Sequence, residues 1–194
     1  MNKLIKIIFL SLFFTIMTVG SKLMAEDKIH MTLKDGLVVI ETRSDVAPKH
    51  VEQIKKLIND GHYDGVVFHR VIDGFMAQTG DVEFGNSSND KFNISRAGTG
   101  GSSLPNIQAE FSDVNHTRGT LSMARAQDPN SADSQFFICF KDAPWLDGQY
   151  TIWGQVVKGM EIVDKIKKGD GSNGEVSSPD KIISMKLVNK KSKK

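Results

Sequence analysis

Between Tyr63 and Asp81 the chain reads YDGVVFHRVIDGFMAQTGD, and this stretch carries the side chains best suited to unaided chemistry. If VVFHRVI is a strand, alternation puts Phe68, Arg70 and Ile72 on one face and His69 with Val71 on the other. In FMAQ the same rule separates Phe75 and Ala77 from Met76 and Gln78, unless Gly74 marks a bulge that re-aims them. An arginine among large apolar groups has two readings. It either snorkels from the rim of a sheet or aims fixed, permanently charged donors at something bound there.

Other routes to chemistry lack their parts. There is no G-x-S-x-G, and Ser134 in ADSQFF has no flanking elbow glycines. Gly98-Thr99-Gly100-Gly101 is followed by no Lys-Ser/Thr that would make it a phosphate cradle. The five histidines show no paired metal spacing, and the single Cys139, inside FFICF, reads as a small buried hydrophobe.

These residues need a scaffold. KIHMTLKDGLVVIET, residues 28–42, is two β-prone runs joined at Asp35-Gly36, the opening hairpin. Pro48 then sits where a first helical residue would, Val51, Ile54, Leu57 and Ile58 share one helical face, and Gly61 stands past the end. Short β-type runs follow at VVFHRVI, FMAQ, TLSMAR, QFFICF, TIWGQVV and IISMKLV. MEIVDKIKKG is read as a second helix with Ile162, Val163 and Ile166 inward and Gly169 as its stop. Many strands against two helices point to a closed or nearly closed antiparallel barrel with helices at its ends. The Gly/Ser/Asn-rich tract between Asp81 and Thr120 is a long loop.

Composition narrows the partners. With 39% hydrophobic and 25% charged residues the chain is globular, and its formal charge is +2. Three lysines and no acid lie in the first 25 residues, so the body is close to neutral and excludes a general nucleic-acid binder. Lys3 and Lys6 precede an uncharged run from Ile7 to Val19, with Leu23-Met24-Ala25 beyond it. This predicts a secretory signal over 1–25 and a periplasmic or secreted body over 26–189. An uncleaved segment would instead tether the protein to the inner membrane, facing the periplasm. KKSKK, residues 190–194, is read as a frayed lysine-rich tail.

Three long stretches, FHRVIDGFMAQTGD at 68–81, MARAQDPNSADSQFFICF at 123–140 and WLDGQYTIWGQVVKGM at 145–160, resemble the signature segments of cyclophilin-type peptidyl-prolyl isomerases. The likeness runs from about Lys28 to Val188 in the family's order. It implies a mainly β fold, a closed eight-stranded antiparallel barrel capped by two α-helices, with a groove on the outer face. It implies catalysis by Arg70, braced by Gln78, and a proline pocket of Phe75, Met76, Phe137 and Leu146. Ala124 and the backbone of Arg125 would line the neighbouring groove, with Trp145 and Tyr150 at its rim.

A monomer acting on X-Pro bonds of unfolded or folding polypeptides is implied, with no metal or other cofactor. Cyclosporin-type inhibition is implied as well, through the indole donor of Trp145. The alternative is a proline-peptide-binding or chaperone module with incidental isomerase activity. A lipocalin-like barrel, a third reading, requires an open interior. Some positions depart from the family: Tyr150 stands where histidine is common in eukaryotic members, and Arg125 where asparagine is common. The Ala126–Ser134 loop is one residue longer than usual, and the Asp81–Gly98 stretch is also long.

Overall fold

The computed structural model describes residues 27–188, so the expected signal segment and the lysine-rich tail lie outside the described residues. Strands β1 (Lys28–Leu33) and β2 (Gly36–Thr42) form the opening hairpin, with Leu33 opposite Gly36. The two-residue connection is therefore Lys34-Asp35, one position earlier than the Asp-Gly pair suggested, and Gly36 takes the first paired place at φ +141°.

Helix α1 (Pro48–Asn59) buries Val51, Ile54, Leu57 and Ile58, as the spacing predicts, and Gly61 follows at φ +76°. Its cap residue Ala47 has no side-chain oxygen to offer. Glu110, from a distant loop, accepts from the backbone N–H groups of Lys49 (3.2 Å) and His50 (3.1 Å) and also bonds the His50 ring at 2.7 Å. A carboxylate thus serves donors that every helix start leaves open and meets the positive end of the helix dipole.

The remaining strands are β3 (Arg70–Ile72), β4 (Met76–Thr79), β5 (Thr120–Met123), β6 (Phe136–Cys139), β7 (Ile152–Lys158) and β8 (Ser184–Val188). They form one eight-stranded antiparallel sheet in the order β3-β4-β6-β5-β7-β2-β1-β8. The barrel is less closed than expected. No ladder joins edge strand β3 to edge strand β8; isolated bridges pair Val67 with Lys181 and Arg70 with Glu175 across the seam. The Phe68 N–H to Asp180 carbonyl bond and the Ile182 N–H to Val66 carbonyl bond, both 2.9 Å, stitch the same seam.

Inside, Ile29, Met31, Ile40, Phe136, Trp153 and Met185 are wholly buried in one continuous core. Each such side chain contributes about 1.5–3 kcal/mol. The filled interior dismisses the lipocalin-like reading. Phe136 bridges Tyr63 and Trp153 by edge contacts at 5.7 and 5.2 Å, fixing the middle of the barrel wall.

Two local expectations are corrected. Helix α2 spans only Met160–Val163, because the chain tightens into i→i−3 turns at Lys165 and Ile166. Gly169 is then drawn onto β3 through the Val71 carbonyl at 2.9 Å. Val163 and Ile166 are buried and Ile162 is half-buried against the core, so the inward face holds despite the shorter helix. The run VVFHRVI is also not one strand: it breaks at Phe68-His69, so its parity slips, and Phe68 joins Val71 in the core rather than sharing the face of Arg70.

Candidate active site

On the outer face, a second cluster of Met76, Phe137, Cys139, Ala143 and Leu146 is buried separately from the barrel interior. Alternation produces this division. In β4, Ala77 faces the main core while Met76 and Gln78 face outward; in β6, Phe136 and Ile138 face inward while Phe137 and Cys139 face outward. Cross-strand register then sets Arg70 opposite Gln78, Gln78 opposite Phe137, and Phe137 opposite Ser122. One row across four strands therefore carries the polar and apolar parts of the site.

Phe75 belongs to the Asp73–Phe75 turn rather than to β4. With Gly74 at φ +69°, its ring packs on the outer cluster with Met76 instead of following Ala77. This is the re-aiming that Gly74 left open.

A pocket of about 250 Å³ is lined by Arg70, Phe75, Met76, Gln78, Ala124, Arg125, Phe137, Leu146 and Tyr150. Every expected site residue except Trp145 faces this one cavity. Trp145 stands at its edge, 60% exposed, with its ring 5.6 Å from that of Phe75. An adjoining depression of about 340 Å³ shares Gln78, Ala124 and Arg125 and continues past Gly98–Gly101, Asp133 and Gln135.

The Arg70 guanidinium is held from behind. Nε donates to the Asn173 carbonyl at 2.9 Å and Nη2 to Asn173 Oδ1 at 3.0 Å, while Nη1 reaches Gln78 Oε1 at a longer 3.4 Å. Asn173, absent from the sequence-based site, is thus the stronger brace, and Gln78 the weaker. The next residue, Gly174, turns the chain at φ +84°; a Cβ there would lie 2.5 Å from Ile72 Cγ1.

Gln78 Nε2 donates to Gln135 Oε1 (3.1 Å), and Gln135 Nε2 donates to the carbonyls of Gly98 (3.0 Å) and Gly100 (2.7 Å). The Gly98 and Gly100 N–H groups converge on Asp81 Oδ2 at 2.7 and 2.9 Å, while those of Glu83 and Phe84 reach Oδ1 at 3.1 and 2.9 Å. Asp81 is fully buried, so one carboxylate ties the long loop to the chain of amides that ends at Arg70.

Below the pocket, His116 stacks on Phe137 at 6.4 Å between ring centroids. Burial lowers its pKa despite the opposing pull of Asp147. Its Nδ1 is hydrogen-bonded to Asp147 Oδ1 at 2.9 Å and its Nε2 to the Ser122 hydroxyl at 3.0 Å, and that hydroxyl also donates to the Thr151 carbonyl at 3.0 Å. Burial likewise pushes the Cys139 thiol up to about 12, consistent with an inert hydrophobe.

Known proteins resemble this chain in sequence and in fold. Residues 28–187 match the family described as cyclophilin type peptidyl-prolyl cis-trans isomerase/CLD. A Brucella abortus protein named "Probable peptidyl-prolyl cis-trans isomerase" is 60% identical over 159 residues, covering 81% of each chain. A Schizosaccharomyces pombe peptidyl-prolyl cis-trans isomerase is 39% identical over 135 residues, 68% of this chain and 79% of that one.

Among solved structures, the Cryptosporidium parvum cyclophilin type isomerase superposes with a TM-score of 0.72 at 25% identity, covering 85% of this chain and 99% of that one. Its crystal structure in the presence of the dipeptide Ala-Pro gives 0.70 at 26% identity over 84% and 99% of the two chains. With the match spanning nearly all the described residues, and a buried apolar cluster beside a clamped arginine on the barrel's outer wall, this chain belongs to the cyclophilin-type peptidyl-prolyl cis-trans isomerase family.

Proposed function

We propose that this protein accelerates cis–trans rotation of X-Pro bonds in unfolded or folding polypeptides, with Arg70 as the catalytic group and Gln78 beside it. Such a bond turns over in tens to hundreds of seconds unaided, because rotation interrupts resonance worth about 18–20 kcal/mol. No leaving group departs. In the twisted state the prolyl nitrogen regains its lone pair and accepts a hydrogen bond that it cannot accept when planar. A donor placed there stabilises the transition state more than either ground state.

The observation that carries the reading is Arg70 itself, clamped by Asn173 and Gln78 while it lines a pocket that it shares with the outer apolar cluster. A guanidinium offers several fixed donors in one plane and needs no proton transfer to act. Phe75, Met76, Phe137 and Leu146 grip the ring, leaving the preceding carbonyl to swing and keeping water from weakening the arginine's bond. Shortening about 100 s to about 1 ms is roughly 10⁵-fold, or about 7 kcal/mol. One charged hydrogen bond supplies part of that and orientation in the pocket the rest.

A protease-coupled assay on an Ala-Pro peptide tests the proposal. Catalytic amounts of the monomeric protein are expected to raise the cis-to-trans rate in proportion to their concentration. A cyclosporin-type macrocycle, reaching the exposed Trp145 at the groove edge, is expected to abolish the increase. Slowing only at stoichiometric protein would mark a binding module instead.

The clamp makes its own prediction. Asn173→Ala removes the Oδ1 acceptor but keeps the backbone carbonyl, so Arg70 stays near its place with more freedom. We expect kcat to fall about tenfold, about 1.4 kcal/mol, with KM within about twofold. A purely structural loop residue would change thermal stability and leave kcat of the folded fraction alone.

A further inference from the structure

The chain has five arginines, and their partners sort them. Arg43 is paired with Asp45 at 2.8 Å and Arg118 with Asp164 at 2.6 Å, while Arg96 lies over the Phe84 ring. The two that line the groove, Arg70 and Arg125, make no ion pair within 4.0 Å among the described residues. Behind Arg70 the exposed Glu175 lies close enough for its pKa to be lowered, first by backbone N–H groups including that of Asn173 and then, more weakly, by Arg70. Asp133 lines the adjoining depression together with Arg125, but its oxygens accept from Gln53 and Ser102 rather than from the guanidinium.

Arg125 is nonetheless held firmly. Nη1 donates to the carbonyls of Ala126 (3.0 Å) and Gln127 (3.3 Å), Nη2 to that of Gln149 (3.1 Å), and the guanidinium lies 4.5 Å over the Tyr150 ring. Tyr150 in turn meets Phe137 edge-on at 5.9 Å. Neutral carbonyls and a ring fix the cation without cancelling it. Its Nε–H is buried with no partner at all. Arg125 lines both the proline pocket and the adjoining depression, so residues flanking a bound proline must pass it.

We propose that Arg125 makes this groove select prolines flanked by an acidic residue, its clamped guanidinium serving as counter-charge to a substrate carboxylate. The inference rests on the isomerase reading above and adds a substrate class to it. A half-buried, pre-positioned cation loses little side-chain entropy on pairing, so a carboxylate should gain more here than at an open surface.

The test is exchange NMR on acetylated, amidated peptides that carry glutamate, glutamine or lysine immediately before or after a single proline, so that no terminal charge competes. At low ionic strength kcat/KM for glutamate over lysine is expected to be about fivefold or more at one of the two positions. That ratio should fall below about twofold in roughly 1 M salt, where the Debye length is about 3 Å. Arg125→Gln should abolish the preference at low salt and Arg125→Glu should invert it. Each ratio is taken within one variant, so a general loss of folded enzyme cancels. A wild-type ratio near one at both positions, or a preference that survives R125Q, would overturn the assignment. Failure to accelerate any peptide would instead remove the isomerase reading beneath it.

Discussion

Arg70→Ala is expected to leave the barrel folded and to lower kcat/KM for an Ala-Pro peptide by about 10²–10³-fold, the cost seen when one preorganised donor to a developing electron pair is removed. The side chain is half-exposed and outside the main core, so its loss opens no interior cavity. It does leave Asn173 Oδ1 and Gln78 Oε1 without the guanidinium, but both can turn to water. Near-UV circular dichroism should match wild type. Arg70→Lys should recover only a small part of the rate, because an ammonium cannot occupy the two-point clamp on Asn173 while a further donor faces the pocket. A lysine variant as fast as wild type would mean that charge alone suffices and the fork geometry is irrelevant.

Asp81→Ala carries the other large effect, on stability. Four backbone N–H groups in a fully buried setting lose their acceptor at once. Hydrogen bonds to a charged group contribute about 1.5–3 kcal/mol each, and water reaching the opened loop offsets part of the loss, so a net cost of about 3 kcal/mol is expected. In a domain of this size that is a Tm lower by about 10 °C. Because Gly98 and Gly100 also accept from Gln135, the slackened loop should release the amide chain leading to Gln78, and kcat should fall in the folded variant. Asp81→Asn keeps one carbonyl oxygen and should lie between. Urea unfolding of the three proteins, with limited proteolysis between 82 and 99, measures both parts. An unchanged midpoint would show that the loop is anchored elsewhere.

What could be read from the sequence follows from where alternation holds. β1, β2, β4 and β6 are continuous, and along them every second residue faces the core; alternation therefore groups Met76 with Gln78, while the place of Phe137 beside them came only from the family resemblance. The rule failed for Phe68 because the run breaks before Arg70, and for Phe75 because the residue sits in a turn. Asn173 had no signal of its own. It lies 103 residues from Arg70, in a loop of glycine, serine and acidic residues without periodicity, and only the seam of the barrel brings it home. Gln135 and Asp81 sat inside the matched stretches, yet their donors and acceptors belong to a loop whose path no local pattern gives. The unpaired state of Arg125 is equally invisible in one dimension, since it depends on which carboxylates end up within reach.

Binding and rotation are separated most directly by exchange NMR on a saturating Ala-Pro peptide, which reads the rate of interconversion on the protein apart from its affinity. The account predicts that Arg70→Ala holds the peptide within about threefold of wild type while the bound-state rotation slows about 100-fold, about 2.7 kcal/mol. Unchanged rotation on the variant, with affinity lost instead, would show that the guanidinium only holds the ligand, and would contradict the claim that it meets the nitrogen's electron pair in mid-turn.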